Sequence, residues 1–454
     1  MWGKTRYALV ALVVLAATMS LMPGTAEAAT YDDFEYNIKS DGTVEITKYI
    51  GAGGGVTIPD KIGDKAVTSI GDYVFRECPS LTSVAIPDNV TSIGEWAFYR
   101  CPSLTSVSIG NNVTSIGTYA FAYCSSLISI TIPDSLTSIG EGVYSGCSSL
   151  TSITIPDGVT SVGDWAFAVC YDLTSITIPE GVTSIGYGAL YGCSSLTSIN
   201  IPDSVTSIDG KAFSWCSSLT SITIPDGVTS IGDNAFEYCP SLTSIVIPDS
   251  VTSVGSRAFY GCSSLTEIVI PTNVTYIGVR TFDECYSLDT INVDDGNENY
   301  ASKDGVLYTK DFTSIIRCPQ KKGGAFTCPS SVTSIGDHAF YECSSLSMLI
   351  FEGDAPNCQV GWAAKSNPNL KVYFIDGSNG FTTPTWQGFS AIGVISPGMP
   401  ADADATAGLG SAHISWSAPS NDGNAPFLSY EIWYGTSDVS SDWILIGEVD
   451  TNAV

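Results

Sequence analysis

Histidine is almost missing from this 454-residue chain: His338 and His413 are the only two, and they fall in different segments. Neither accompanies a serine or cysteine nucleophile motif, and no phosphate-cradling glycine loop occurs. The parts that hydrolases, acyl-transfer enzymes and nucleotide-dependent enzymes require are therefore absent, and catalysis is not expected. Basic residues are scarce as well, with 18 Lys and Arg against 46 Asp and Glu and a net charge of −28. A negative field of that strength argues against nucleic acid and anionic membrane as partners. There is no C-x-x-C pair among the 14 cysteines, so the usual zinc-ligand spacing is missing and no cofactor is expected. Long apolar runs are confined to Ala8–Ala17.

That single run is informative. Lys4 and Arg6 precede it, Pro23-Gly24 interrupts it, and Ala26-Glu27-Ala28 supplies a small-x-small cleavage site. Residues 1–28 read as a secretory signal peptide rather than a membrane anchor, because the run is short for a span. The chain is expected to be exported, secreted or held at the cell surface.

What the sequence has in abundance is period. Cysteine recurs every 23 residues at Cys78, Cys101, Cys124, Cys147, Cys170, Cys193, Cys216, Cys239, Cys262 and Cys285. So strict a spacing predicts one 23-residue unit per turn of a stack, since any slip would move the apolar face out of register. In the unit Leu81–Cys101, Val84 and Ile86 share one face of a short strand that Pro87 ends. Val90 and Ile93 begin a second extended segment, and Gly94 allows the sharp turn after it. Ala97, Phe98 and Cys101 then fall at i, i+1 and i+4, which predicts a single helical turn pressed onto the core.

The flanks differ. Phe34, Tyr36 and Ile38, a Ser40-Asp41-Gly42 turn, and Val44, Ile46 and Tyr49 predict a hairpin, so residues 29–66 read as an N-terminal cap. Cys285 and Cys343 are 58 residues apart, two periods plus 12. The excess implies an irregular coil at about 294–330, with strand, turn and strand around Asn299–Tyr308. Residues 350–395 lose the repeat but keep Trp362, Tyr373, Phe374, Phe381, Trp386 and Phe389, as a C-terminal cap would. From residue 397 the alternation at Ala412–Trp416 and Tyr430–Tyr434 predicts about four strands of a β-sandwich that needs about seven.

The unit Ile-Pro-Asp-x-Val-Thr-Ser-Ile-Gly-x-x-Ala-Phe-x-x-Cys-Ser-Ser-Leu-Thr-Ser-Ile resembles the BspA-like leucine-rich repeat family, from about Val67 to Leu349. Residues 397–454 are similar to the first half of a fibronectin type III module. The resemblance implies a repeat solenoid, a β-rich right-handed stack of coils with short helical turns, followed by a partial all-β fibronectin type III sandwich. It also implies a secreted or cell-surface protein, in a family some of whose members are implicated in adhesion, and carries over no catalytic residue.

Candidate chemistry sits in several rows. The cysteine file reads as buried free thiols filling the core, with disulfides between neighbouring coils or metal as alternatives. Cys318 and Cys328 flank Lys321-Lys322-Gly323-Gly324 outside the file and form a candidate disulfide. Asp88, Asp134, Asp157, Asp203, Asp226 and Asp249 share one turn position, as turn residues or as a calcium-spaced carboxylate file. Asn89, Asn112 and Asn273 each begin an Asn-Val-Thr sequon. Ser106 with Ser108, and Ser152 with Thr154, place a hydroxyl-rich surface on the strands.

The most promising row lies just before the Ala or Val of each turn. It holds Tyr73, Trp96, Tyr119 and Trp165, with Gly142 interrupting, and later Lys211, Asn234, Arg257, Arg280 and His338. It reads as an extended binding edge for an extracellular protein or glycan, with functional residues three to five positions before each cysteine and on the strand faces. Inter-coil packing with solvated charges is the simpler alternative. At the level of the whole protein, the choice lies between adhesion and a self-associating surface-layer or envelope component.

Overall fold

A computed structural model describes residues 29–375 and 377–394, and beyond them the backbone of the strands Ala401–Gly408, Ser411–Ser417, Ser429–Tyr434 and Ile444–Asp450. The expected signal peptide, residues 1–28, lies outside the described residues. The chain divides into two compact units at Phe236 and Glu237.

In the first unit the N-terminal residues Ala29–Tyr31, Phe34–Ile38 and Val44–Tyr49 form an antiparallel meander. Its last strand pairs in parallel with Lys65–Ile70, which starts a ladder continued by Ser92–Ile93 and Ser115–Ile116. A second parallel ladder runs through Gly54–Thr57, Leu81–Ala85, Ser106–Ser108 and Ser129–Ile130. Partners in both ladders are 23 residues apart in the repeats, for example Ser92 with Ser115 and Val84 with Val107. The period of the sequence is thus the register of the stack.

The core is a set of files along that register. Phe75, Phe98 and Phe121 stack at 4.8 and 5.0 Å between centroids, and Tyr144 continues the file to Phe167 at 5.6 Å. Offset stacks of this kind contribute about 0.5–1.5 kcal/mol per pair beyond burial. Each file cysteine from Cys101 to Cys216 is buried and turns its thiol to a backbone carbonyl of the coil before it, as Cys101 does to Phe75 (3.0 Å) and Cys147 to Phe121 (3.2 Å). Cys78 alone in the file is half-buried. The thiol is a small apolar filler that also donates weakly to a carbonyl the strand ladders do not reach. Burial pushes Cys147 and Cys216 up to about 12, so these thiols are protonated and inert.

The helical turn expected at Ala97–Cys101 is not formed; among the described residues there is no helix. The reason lies in the direction of the amides. Trp96, Phe98 and Arg100 donate to Thr118 (3.0 Å), Ala120 (2.7 Å) and Ala122 (2.9 Å) of the next coil, where a helix would send them back along its own chain. Trp96 and Arg100 both have φ of 55°, in the left-handed region, and this turns alternate amides the same way. The spacing i, i+1, i+4 fits this third ladder as well as it fits a helix.

The second unit repeats the scheme with Ser253–Val254 beside Tyr276–Ile277 and Glu267–Ile270 beside Thr290–Val293. Its irregular coil folds Tyr300–Lys303 against Val306–Thr309 and then Ser314–Arg317. Beyond it Gly324–Cys328, Leu346–Phe351, Lys371–Ile375 and Phe389–Val394 form a parallel ladder closed by Thr385–Trp386. Trp362, Phe374 and Trp386 are buried in the closing core. In the terminal segment Ala401–Gly408 pairs with Ser411–Ser417 and Ser429–Tyr434 with Ile444–Asp450, both antiparallel. Among the described residues these are two separate two-stranded sheets, and the sandwich remains an expectation from the sequence.

Candidate binding surface

Two turn positions in every coil, five residues and one residue before the cysteine, have positive φ from Tyr73 through Glu284. Only Gly142, Gly146, Gly188, Gly192 and Gly261 among those twenty are glycine. An L-residue there is strained by about 1–2 kcal/mol, so large side chains at the other positions must be held by their surroundings. The glycines show how. A Cβ at Gly142 would lie 2.2 Å from the Tyr119 ring, and one at Gly188 would lie 2.5 Å from the Trp165 ring. Each ring lies flat across the glycine of the following coil. The interruption of the aromatic row at Gly142 is therefore the seat of Tyr119.

In the first unit these rings form two clusters. Trp96 stacks on Tyr119 at 4.8 Å and meets Tyr99 edge-on at 4.5 Å. Arg76 lies over Tyr73 (5.5 Å) and Tyr99 (5.9 Å), and Arg100 over Tyr99 (5.2 Å) and Tyr123 (5.9 Å). Guanidinium and phenol alternate along the edge, and a pair of this kind contributes roughly 0.5–1 kcal/mol at an exposed site. Tyr73 and Tyr123 are nearly half exposed. Glu77 stands 3.6 Å from Arg76 and 3.9 Å from Arg100, exposed ion pairs of little energetic weight. The Tyr119 hydroxyl donates to Glu141 (3.0 Å); burial first, and then that hydrogen bond, push the phenol up to about 12. In the second cluster Trp165 meets Tyr187 and Tyr191 edge-on at 5.2 and 5.6 Å, and Lys211 lies 5.6 Å from the Tyr187 ring. Tyr171 and Trp215 are exposed on the same coils.

In the second unit Arg257 covers Tyr260 (5.6 Å), whose hydroxyl donates to Glu284, and Arg280 is exposed. His338, by contrast, turns inward: its Nδ1 is 2.6 Å from Asp283, and its ring stacks on Tyr341 at 4.3 Å.

Sequence reasoning named Tyr73, Trp96, Tyr119, Trp165, Lys211, Arg257 and Arg280 but not Arg76, Tyr99, Arg100, Tyr123, Tyr187 or Tyr191. Its window stopped three residues before the cysteine, whereas Arg76, Tyr99, Arg100, Tyr123 and Tyr191 lie one and two before it, and Tyr187 six before it. A signal was present. Every Lys or Arg between residues 66 and 302 (Arg76, Arg100, Lys211, Arg257 and Arg280) lies within five residues of a file cysteine. The few cations of the acidic array are thus placed on the turn edge.

The other rows are quieter. The strand faces expose Ser152, Thr154, Ser175 and Thr177 without a charge. Asn89, Asn112 and Asn273 each donate a side-chain amide to a carbonyl of the preceding coil, at 3.2, 3.0 and 2.8 Å. The Asp88 carboxylate accepts the Asn111 amide (2.8 Å) as a turn residue does. Cys318 and Cys328 are both free and buried, and Cys318 lies against Cys343.

Residues 68–197, 183–303 and 320–367 match the BspA type leucine rich repeat region, in six copies. Among solved structures, a leucine-rich repeat protein from Bacteroides ovatus is 28% identical at a TM-score of 0.63, over 80% of this chain and 99% of that one. A leucine rich cell surface protein from Faecalibacterium prausnitzii is 32% identical over 77% of each chain, at a TM-score of 0.34. No curated protein matches the chain.

Proposed function

This chain belongs to the BspA-type leucine-rich repeat family, and on that premise we propose that it is an exported cell-surface protein that binds an extracellular protein or glycan through its turn edge. Proteins of this kind are typically surface proteins used for binding. The observation that carries the proposal is the alternation of Tyr73, Arg76, Tyr99, Arg100 and Tyr123 on one exposed edge of a chain otherwise poor in cations. Aromatic faces supply contact area at little entropic cost, and guanidinium forks supply directed hydrogen bonds; binding hot spots are enriched in both. The strand face around Ser152–Thr154 and Ser175–Thr177, lined by hydroxyls, offers neither. The terminal strand pairs act as a spacer of fibronectin type III kind, and the role is binding without catalysis.

The test uses purified mature protein, cells and extracellular matrix. A monomer that binds them, and loses binding while staying folded when Trp96, Tyr119 and Trp165 are replaced by Ser, supports the proposal. Concentration-dependent self-assembly without binding to foreign cells identifies a surface-layer component instead. Folding and binding both unchanged in the triple variant defeats the edge as the site.

A further inference from the structure

The turn ladder has an open rung in the second unit. Arg257, Phe259 and Gly261 donate their amides to Val279 (3.0 Å), Thr281 (3.1 Å) and Asp283 (2.9 Å). In the coil that receives them, the equivalent donors are Arg280, Phe282 and Glu284. Arg280 and Glu284 both have φ of 58°, the geometry that aims alternate amides the same way. Among the described residues none of these three amides has an acceptor. Backbone donors are almost always paired, and a buried one left open is destabilising by about 1–3 kcal/mol. Phe282 is 2% exposed.

The cause is the irregular coil. It runs from Ser314–Arg317 straight into Cys318-Pro319, a shortened turn that passes one amide on, from Cys318 to Ala339 (2.7 Å), but offers no carbonyl to the row behind it. Its remaining side chains serve the neighbours on either side. Arg317 pairs with Asp283 (2.7 Å) and donates to Phe282 O (3.2 Å), and Gln320 donates to Tyr341 O (3.3 Å). The Arg317 Nε, buried with the rest of that side chain, has no partner. Where the turn would lie there is a cavity of about 260 Å³, walled by Ile277, Val279, Leu307, Ile315 and Ile316, with Arg280 and Phe282 and the charged Asp283, Arg317 and Asp337 also in its lining. Val279 and Arg280 are exposed, which places its mouth at the surface.

We infer that this notch is a second binding site, which takes an extended peptide segment of a partner protein as a replacement turn. The acceptors of the equivalent donors Trp96, Phe98, Arg100, Arg257 and Phe259 are peptide carbonyls, so the complement of the row is a polypeptide backbone. The apolar walls fit one aliphatic or aromatic side chain of that segment. Arg280 has no ion pair among the described residues and fits a carboxylate next to it. The mode is strand addition transposed to a turn ladder, and it is independent of the edge clusters of the first unit.

The probe is an acetylated, amidated peptide with the chain's own turn sequence Gly-Asp-Asn-Ala-Phe-Glu-Tyr, and the protein is the intact mature chain. Hydrogen exchange resolved by residue should show the Arg280 and Glu284 amides exchanging at least ~10-fold faster than those of Arg257 and Gly261 in the free protein, and slowing to match them when the peptide saturates the site. Arg280→Glu, a surface change that leaves folding intact, should weaken the peptide at least ~10-fold, the size expected for one charge pair. A peptide with Lys in place of Asp and Glu should bind at least as poorly. The inference is overturned if the open-rung amides are as protected in the free protein as their counterparts. It is overturned equally if a saturating peptide leaves their exchange unchanged, which would mean that water alone fills the notch. Equal binding of the Lys peptide would remove the acidic partner.

Discussion

Replacing Tyr144 by Phe removes one oxygen atom from the core of the first unit, and the structure says that this oxygen is a burden. Tyr144 occupies the file position held by Phe75, Phe98, Phe121 and Phe167, and its ring lies nearly parallel to those of Phe121 (5.9 Å, 8°) and Phe167 (5.6 Å, 9°). The residue is fully buried, and its hydroxyl has no hydrogen-bond partner. Burial raises the phenol far above its usual range, so no ionised form relieves the penalty. An unpaired buried hydroxyl is destabilising by about 1–3 kcal/mol, and a phenylalanine of the same outline already packs at this position in the neighbouring coils. Tyr144→Phe should therefore stabilise the unit by at least ~1 kcal/mol, or roughly 2–4 °C in Tm for a unit of this size. Urea unfolding followed by circular dichroism, with m unchanged, is the assay. A midpoint that stays put or falls would show that the hydroxyl has a partner, and that the file does not select for a bare ring.

Three other outcomes follow from the same geometry. Gly188→Ala should destabilise the first unit by about 1–3 kcal/mol in urea unfolding, because Gly188 has φ of 60° and an added Cβ meets the Trp165 ring at 2.5 Å. In native reduced protein an aromatic disulfide reagent should label Cys78 and Cys358, the two half-buried thiols, slowly, because burial pushes them up to about 11 and about 12, while the twelve buried ones react only on unfolding; rapid titration of all fourteen would contradict the core assignment. Asp283→Ala leaves the Arg317 guanidinium buried without its counter-ion and should destabilise the second unit by about 3–5 kcal/mol, whereas Asp283→Leu with Arg317→Met should recover most of that loss in the same unfolding assay.

The stack was legible because its register is written in the sequence. A period of 23 with apolar residues at fixed offsets permits one pairing, and Ser92 does sit opposite Ser115. The third segment of each coil was misread as helical because periodicity reports which side chains face the core and is silent on where the amides point. The recurrence of glycine four residues apart, at Gly142 and Gly146 and again at Gly188 and Gly192, was the trace of two left-handed positions. The binding row was partly visible, through Trp96 and Tyr119. Arg76 and Tyr99 were missed because they meet across coils, a contact that no spacing within one unit reveals. The open rung was hidden for a different reason. The irregular coil is longer than the period, so the loss of its turn segment reads in the sequence as an insertion.

In the proposed function the partner lies along the turn edge and not on the strand face. Oxidative footprinting of the unaltered protein, free and bound to target cells, tests it most directly, because both surfaces carry reactive residues. Tyr73 and Tyr123 are exposed on the edge, and Ile128, next to the strand Ser129–Ile130, is 52% exposed. Binding along the edge should protect Tyr73, Tyr99 and Tyr123 and leave Ile128 unchanged. Protection of Ile128 with the three tyrosines still oxidised at the free rate would contradict it.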